Sequence, residues 1–371
     1  MSNILSFDSH SKIYWPQVIA LLILDICVII SWIAYHEFQP SIIESFGLTD
    51  FAFEFTIWSF LIIVITPGIA GLVADNISQK TGKRLPVINV GVNVAAMIFM
   101  AVALTLFFEP SGPIKWLIPV FITFWLISMN MFRSPAISII ERLVPQRQLP
   151  AVLALFIFTF DIAYSVEPII VDVLTFLGGP ITFLVGGIMI FASGTYLKAS
   201  YKKVAHLKLD KNAYENDTKT GKSKFWIVIT LSLVLGVYTT LMLKFIPNFL
   251  NDRMGYLDLN ISGSVLATLM LFTSAIICFF LGKKVNKDNI DVFAVWGILG
   301  FALSIGLLVA FSSLFATLAC ALMLMIFFSF LSVSALPLAL YELSSKQTIF
   351  GIGLFYGFAE FGDQLWNVIF F

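Results

Sequence analysis

The sequence is poor in charge, histidine and cysteine for its length. Only 12% of its 371 residues are Asp, Glu, Lys or Arg, with three His and three Cys. A soluble globule of this size needs far more polar surface, so the composition excludes one. All three cysteines lie in apolar runs, which argues against a disulfide framework or a zinc site. The net charge of zero gives no indication of a nucleic-acid partner.

Catalytic motifs are also missing. The sequence has no phosphate-binding loop, no His/Cys metal spacing and no Ser-His-Asp arrangement on its polar segments. Those segments are too short to fold a separate domain. We therefore expect neither an enzyme nor a bound cofactor or metal.

Long apolar runs are abundant. The chain is 59% hydrophobic, contains 38 Phe and has a mean hydropathy of +0.95. About 20 helical residues cross a bilayer, and eleven runs reach this length. The first is too long for a signal peptide and is expected to insert uncleaved. The sequence predicts an all-α polytopic membrane protein with runs near 14–38, 53–74, 85–108, 115–141, 150–175, 179–199, 225–249, 261–282, 290–312, 314–341 and 348–371.

Basic residues concentrate on one side of this map. Of the 22 Lys and Arg, only Lys115 and Arg253 fall on the opposite side, and Arg133 and Lys244 fall inside runs. Basic loops are retained in the cytoplasm, so the N-terminus and the polar segment 200–224 are predicted to be cytoplasmic. The expected location is the plasma membrane, specifically a bacterial inner membrane, with the lipid bilayer as partner and no oligomer required.

The runs before and after the polar segment resemble each other. The second run ends in GLVADNISQKTGKR and its counterpart in FFLGKKVNKDN, while the fourth carries SPAISIIERL and its counterpart LPLALYEL. This pattern predicts two parallel repeats, an N-terminal bundle 1–199 and a C-terminal bundle 225–371 joined by the linker 200–224. The first bundle has six runs but the second has only five, so either a twelfth helix is missing or one run contains two spans.

Three stretches resemble a known family. GLVADNISQKTGKR carries Gly71, Asp75, Gly82, Lys83 and Arg84 in the order of the loop motif between the second and third helices of the major facilitator superfamily. FRSPAISIIERLVP and GIGLFYGFAEFGDQ are similar to the fourth and eleventh helices of its sucrose:proton and glycoside-pentoside-hexuronide cation symporters, in particular bacterial sucrose-transporter-like proteins. The resemblance implies a fold of two pseudo-symmetric six-helix bundles that transports a sugar with protons or Na⁺.

The loop motif is predicted to act as a latch between the bundles. Gly71 and Gly82 would allow a tight turn, Lys83 and Arg84 would contact anionic headgroups, and Asp75 would face the positive end of the helix that begins near Thr348. The resemblance adds charge pairs at the end of the fourth helix, where Glu141 and Arg142 stand and the family has an acid at the Arg142 position. The alternative is a retained basic loop without a latch.

Ionisable residues inside the runs mark a candidate site. Placing a charged side chain in hydrocarbon costs free energy, so such residues normally face a cavity or a partner. Asp25, Arg133, Asp161 and Glu360 share a depth near the midplane, where transporters of this architecture bind solute and coupling ion. Helical phase places Trp32 on the face of Asp25 and Tyr164 on the face of Asp161. The predicted solute and coupling-ion residues are Asp25, Trp32, Arg133, Asp161, Tyr164, Tyr356, Glu360 and Gln364.

Other interpretations remain open at this point. Arg133 could form a structural ion pair with Asp161 or Asp25, and Lys244 could extend to the surface. His36 could be solvated, and Trp32 could pack against other helices without contacting a ligand. Asp161 and Glu360 are the acids predicted to exchange protons. The favoured function is secondary active transport of a small polar solute, a sugar or glycoside. The alternatives are an exporter or exchanger of another organic solute, and a non-transporting receptor or scaffold with the same fold.

Overall fold

The structure, a computed structural model, describes residues 13–81, 84–108, 112–204, 222–255, 262–311 and 313–370. We call residues 13–204 the N-half and residues 222–370 the C-half. The helices of the N-half are α1 (Trp15–Ser45), α2 (Ala52–Thr81), α3 (Leu85–Phe108), α4 (Leu117–Ser138), α5 (Ile140–Leu143), α6 (Leu149–Ser165), α7 (Glu167–Leu177) and α8 (Gly179–Lys202). Those of the C-half are α9 (Phe225–Thr240), α10 (Ile246–Gly255), α11 (Gly263–Gly282), α12 (Ile290–Ala310), α13 (Leu314–Tyr341) and α14 (Thr348–Ile369).

Each predicted run forms one helix or one interrupted helix. Within the described residues, ten helical stretches are long and apolar enough to cross a membrane, and α14, with 22 residues, corresponds to the eleventh predicted run. The chain is therefore a multi-pass membrane protein with an all-α fold. In the described part of the chain, none of the runs folds into two separate spans, so the alternative of two spans within one run is wrong there.

Two spans are interrupted at positions that matter for the site. Helix α6 ends at Ser165 and α7 follows after Val166, with Pro168 in the first turn of α7. Proline fits there because the first-turn N–H groups have no intrahelical acceptor. Helices α9 and α10 are joined by a π-helical turn over Leu241–Phe245. Such turns are rare and often lie at functional positions.

The outer surface of the bundle is apolar. Phe176, Phe315 and Phe108 are 89%, 86% and 80% exposed, and many other large apolar side chains are also open to the surroundings. A protein in water seldom exposes so much contiguous apolar surface. These side chains therefore face the lipid.

Polar and charged contacts join the helices at one end, which we call the basic end. There Lys224 pairs with Glu342 at 2.8 Å, and the Gln79 side chain donates a hydrogen bond of 2.8 Å to the carbonyl of Lys346. The Tyr341 hydroxyl donates to the carbonyl of Gln146 at 2.7 Å. Two of these three contacts connect the N-half to the C-half.

The halves meet along two seams. In the first, Gly353 and Gly357 of α14 lie so close to the backbone of α2 that added Cβ atoms would collide with the carbonyl oxygens of Pro67 and Val64. In the second, Gly282 of α11 packs against Ala154 of α6. Small residues let helix backbones approach closely, which is how helices associate in lipid.

Candidate functional site

A small cavity lies between the two halves. Its volume is about 30 Å³, which admits water but is far below the roughly 300 to 1,000 Å³ of ordinary ligand pockets. Side chains from α1, α2, α4, α6 and α14 line it, so both halves contribute. Six of the eight predicted site residues are among its lining residues, which are Asp25, Val28, Ile29, Trp32, His36, Ile63, Arg133, Phe160, Tyr164, Glu360 and Gln364.

Arg133 connects the halves through this cavity. Its Nη1 donates a hydrogen bond of 3.1 Å to Oε1 of Glu360, and its guanidinium lies 4.2 Å from the ring centroid of Tyr356. The hydrogen-bonded partner of Arg133 is therefore Glu360, which the sequence had not proposed for this role, and the expectation that Asp161 holds Arg133 is wrong. Asp25 still lies near enough to interact electrostatically with Arg133. A cation is thus surrounded by two carboxylates and an aromatic face.

Asp161 does not line the cavity. It is 3% exposed, and its Oδ2 accepts a hydrogen bond of 3.2 Å from Ser274 Oγ on α11. The Ser274 hydroxyl lies 3.1 Å from that of Ser329 on α13. Tyr164, three residues later, does face the cavity. Residues three apart diverge by about 60° around a helix, and the hydroxyls of the C-half draw the carboxylate toward the second seam.

A second ion pair lies farther along α14. Lys244 Nζ is 2.7 Å from Oδ1 of Asp363 and donates a hydrogen bond of 2.6 Å to Oδ1 of Asn367. Lys244 is therefore paired within the protein, although 29% of its side chain is exposed. No pattern in the sequence predicts the π-helical turn that carries Lys244. A lysine inside an apolar run does, however, indicate that a partner for its charge lies nearby.

His36 is another cavity residue that the sequence did not assign to the site. It lines the cavity and stacks on Trp32, with ring centroids 5.9 Å apart. It lies one turn beyond Trp32 on the face of Asp25, which was the available signal. Within the described residues, no group of three or more His, Cys, Asp or Glu is arranged to hold a metal ion.

The Asp75 carboxylate caps α14. It accepts hydrogen bonds from the backbone N–H of Ile349 at 3.2 Å and of Phe350 at 2.8 Å, in the first turn of that helix. The contact predicted from the sequence is thus present. An N-terminal carboxylate satisfies free N–H groups and interacts favourably with the helix dipole.

Arg84 lies near this cap and is buried in the protein. Its Nη1 donates a hydrogen bond of 2.6 Å to the carbonyl of Ser138 and lies 3.9 Å from Oε2 of Glu141. Its side chain is 4% exposed, so the expected contact with lipid headgroups is wrong for this residue. Arg142 is also buried. Gly82 and Lys83 lie outside the described residues.

Gly71 has a different role from the one expected. It lies inside α2, not in the turn, and a Cβ added there would come within 2.5 Å of the carbonyl oxygen of Ile349. Only glycine allows α14 to begin so close to α2. Gly71 therefore brings the N-terminus of α14 within reach of Asp75, one turn away.

Comparison with known proteins agrees with this architecture. The family model described as Major Facilitator Superfamily matches residues 18–362. A crystal structure of the human organic anion transporter MFSD10 (TETRAN) is similar, with a TM-score of 0.66, 13% identity, and coverage of 96% of this chain and 94% of that one. The proton:xylose symporter XylE, bound to 6-bromo-6-deoxy-D-glucose, has a TM-score of 0.63, 14% identity, and coverage of 96% and 87%. No curated protein sequence matches the chain.

Proposed function

The chain belongs to the major facilitator superfamily, and we propose that it is a proton-coupled symporter of a sugar or glycoside. Members of this superfamily are transporters and not enzymes. They work by alternating access, in which two helix bundles rock about a site near the midplane. The solute and the coupling ion are the proposed part.

The ion pair between Arg133 and Glu360 is the observation that supports coupling. It joins the halves inside the cavity, so its making and breaking is linked to their relative movement. A proton on Glu360 would remove the negative charge and weaken the pair. Arg133 would then be free to bind the solute while the halves move. Intramembrane acids of this kind act as proton relays in transporters.

Asp161 is the second acid in the proposal. It lies at the other seam, held by a serine hydroxyl of the C-half. Protonation there would change the contact between α6 and α11 without touching the solute. We assign Asp161 to coupling only, and assign contact with the solute to the cavity residues.

The chemistry of the cavity suits a sugar. Hydroxyl groups are bound by carboxylates, amides and phenols, which Asp25, Gln364 and Tyr164 supply. The apolar C–H face of a pyranose packs on an aromatic ring, which Trp32 supplies. Ligand pockets usually measure about 300 to 1,000 Å³, so a solute of this size binds only after the halves or the cavity side chains move.

The proposal also includes a latch at the basic end and the orientation of the protein in the membrane. Asp75, Arg84 and Glu141 hold the basic end closed, and their release opens it to the solute. Because Lys and Arg are concentrated at this end, we place it in the cytoplasm, with the protein in a plasma membrane such as a bacterial inner membrane.

Uptake measurements test the proposal. Labelled sucrose and methyl glycosides are offered to cells that lack their own carriers, with and without a proton gradient. Wild type is expected to accumulate at least one of them with the gradient, and Glu360→Gln is expected not to. Glu54→Gln is the matched control, since Glu54 is exposed at the outer surface of α2. Absence of sugar uptake by folded, inserted protein would overturn the proposal.

A second candidate is an exchanger or exporter of an organic anion. Arg133 and Lys244 pair with Glu360 and Asp363, which lie one turn apart on α14. An anionic solute could replace either carboxylate. Labelled mono- and dicarboxylates in the same cells separate the candidates, because only an anion carrier exchanges them and loses that exchange in Lys244→Ala.

A further inference from the structure

An aromatic cluster lies behind the cavity wall in the N-half. Trp32 lines the cavity, and its ring meets those of Trp125 and Tyr35 edge-on at centroid distances of 5.1 and 5.7 Å. Tyr35 and Trp125 stack on each other at 4.5 Å and are 3% and 1% exposed. Trp32 thus stands between the cavity and the stacked pair.

Three polar atoms of this cluster have no hydrogen-bond partner in the described part of the chain. They are Tyr35 Oη, Trp125 Nε1 and Ser59 Oγ, from α1, α4 and α2. The Tyr35 and Ser59 hydroxyls lie close enough to interact, but within the described residues neither makes a hydrogen bond of ordinary geometry. Ser59 is 6% exposed. The large majority of buried polar side-chain atoms in proteins have a hydrogen-bond partner, so three such atoms in one cluster indicate a bound group.

We propose that the cluster is a closed subsite for one pyranose ring of the solute, with Trp32 as its movable lid. The inference rests on the proposed sugar transport. When the Trp32 indole turns aside, the cavity extends to the stacked pair. The hydroxyls of Tyr35 and Ser59 and the N–H of Trp125 then bond to sugar hydroxyls, and the aromatic rings pack against the C–H face.

The size of the cavity is consistent with a lid. At about 30 Å³ it is far smaller than the roughly 300 to 1,000 Å³ of ordinary ligand pockets, so no sugar fits in it. Trp32 contacts the stacked pair by ring edges and not by a buried polar bond. Turning it therefore breaks no hydrogen bond within the cluster, whereas displacing Arg133 or Glu360 would break the ion pair between the halves.

Three substitutions, each of which removes one of the polar atoms, test the subsite. They are Tyr35→Phe, Ser59→Ala and Trp125→Phe. Binding of methyl α-D-glucopyranoside and its monodeoxy derivatives is measured on purified protein in nanodiscs. Tyr196→Phe is the matched control, because Tyr196 is 48% exposed on α8. Thermal stability is recorded for every variant.

The subsite predicts weaker binding without loss of stability. At least one substitution is expected to weaken glucoside binding about fivefold to tenfold, the effect of one lost hydrogen bond. The same substitution leaves binding of one particular deoxy derivative unchanged, since that derivative lacks the partner hydroxyl. Tyr196→Phe binds like wild type.

Two results would overturn the inference in distinguishable ways. If wild type binds glucosides and all three variants bind equally well, the subsite is wrong while sugar transport stands. This includes the case in which the substitutions lower stability alone, which identifies a structural water. If wild type binds no glucoside, the subsite is wrong, and the proposed function is wrong as well if uptake of every labelled sugar is also absent.

Discussion

The carboxylate of Asp75 and the backbone N–H of Phe350 lie 2.8 Å apart, although 275 positions separate them in the chain. The bond joins the end of α2 in the N-half to the start of α14 in the C-half. A few ångströms away in the structure, Gly71 allows the two helices to approach. The first seam therefore has a polar cap at the basic end and glycine packing below it, and the two features make separate predictions.

Replacing Asp75 by Asn is expected to weaken closure of the basic end. Asn keeps one acceptor oxygen but loses the charge and one hydrogen bond to α14. A loss of about 1 to 2 kcal/mol shifts a two-state equilibrium roughly 5- to 30-fold. Transport in vesicles should slow while insertion is normal, and thiol labelling of Ser78→Cys, now 1% exposed, should accelerate. Asp288→Asn, which changes an exposed acid after α11, is the control and should leave the labelling rate unchanged. If Ser78→Cys is labelled at the same rate with and without Asp75→Asn, a latch is excluded.

Gly357→Ala is expected to destabilise the first seam. The new Cβ meets the carbonyl oxygen of Val64, so α14 must move from α2 at a cost of about 1 to 3 kcal/mol. Gly306→Ala is the matched control, since its Cβ meets nothing within 4 Å and a helical Gly→Ala change is favourable by up to about 1 kcal/mol. Thermal unfolding in detergent should show a lower midpoint for Gly357→Ala only. Equal midpoints would contradict close packing at this seam.

Asp161→Asn is expected to abolish gradient-driven accumulation but not solute exchange. Asn cannot take up a proton, whereas the cavity residues that contact the solute are intact. Counterflow in vesicles should remain within about twofold of wild type, while accumulation falls at least about tenfold. Ser274→Ala removes the hydroxyl donor but leaves the acid, and should still accumulate. Accumulation by Asp161→Asn at the wild-type level would exclude Asp161 from coupling.

Lys244→Ala should cost more stability than the double variant Lys244→Ala/Asp363→Asn. The single change leaves Asp363 without its cation, and the second removes the unpaired charge. Both side chains are more than a quarter exposed, so the coupling energy is expected to be about 1 kcal/mol, as for a partly screened pair. A double-mutant cycle of unfolding midpoints measures it. Additive losses would show that the two charges do not stabilise each other.

Hydropathy and charge along the chain predicted the spans, because both are local properties. About 20 apolar residues form a helix in lipid wherever they occur, since every backbone polar group must be satisfied within the segment. The helices therefore begin within two residues of the predicted runs and end within seven. Helical phase similarly placed Asp25 and Trp32 on one face of α1, and both line the cavity.

The partners of the embedded charges could not be read from this pattern. From the sequence, Arg133 was expected to pair with Asp161 or Asp25, and Lys244 to extend to the surface. In the structure, Arg133 pairs with Glu360 and Lys244 pairs with Asp363. Depth in the membrane restricts which residues can meet, but not which side of each helix faces which neighbour. A difference of about 60° around α6 separates Tyr164 in the cavity from Asp161 at the second seam.

By itself, the sequence determined the fold class, the spans and the set of costly polar residues inside them. Only the tertiary structure decided that Gly71 serves a helix contact and not a turn, that Arg84 is buried, and that Trp32 packs between the cavity and the stacked rings of Tyr35 and Trp125. The physical reason is that helix formation in lipid depends on neighbours along the chain. The pairing of charges and the packing of glycines depend on residues hundreds of positions away.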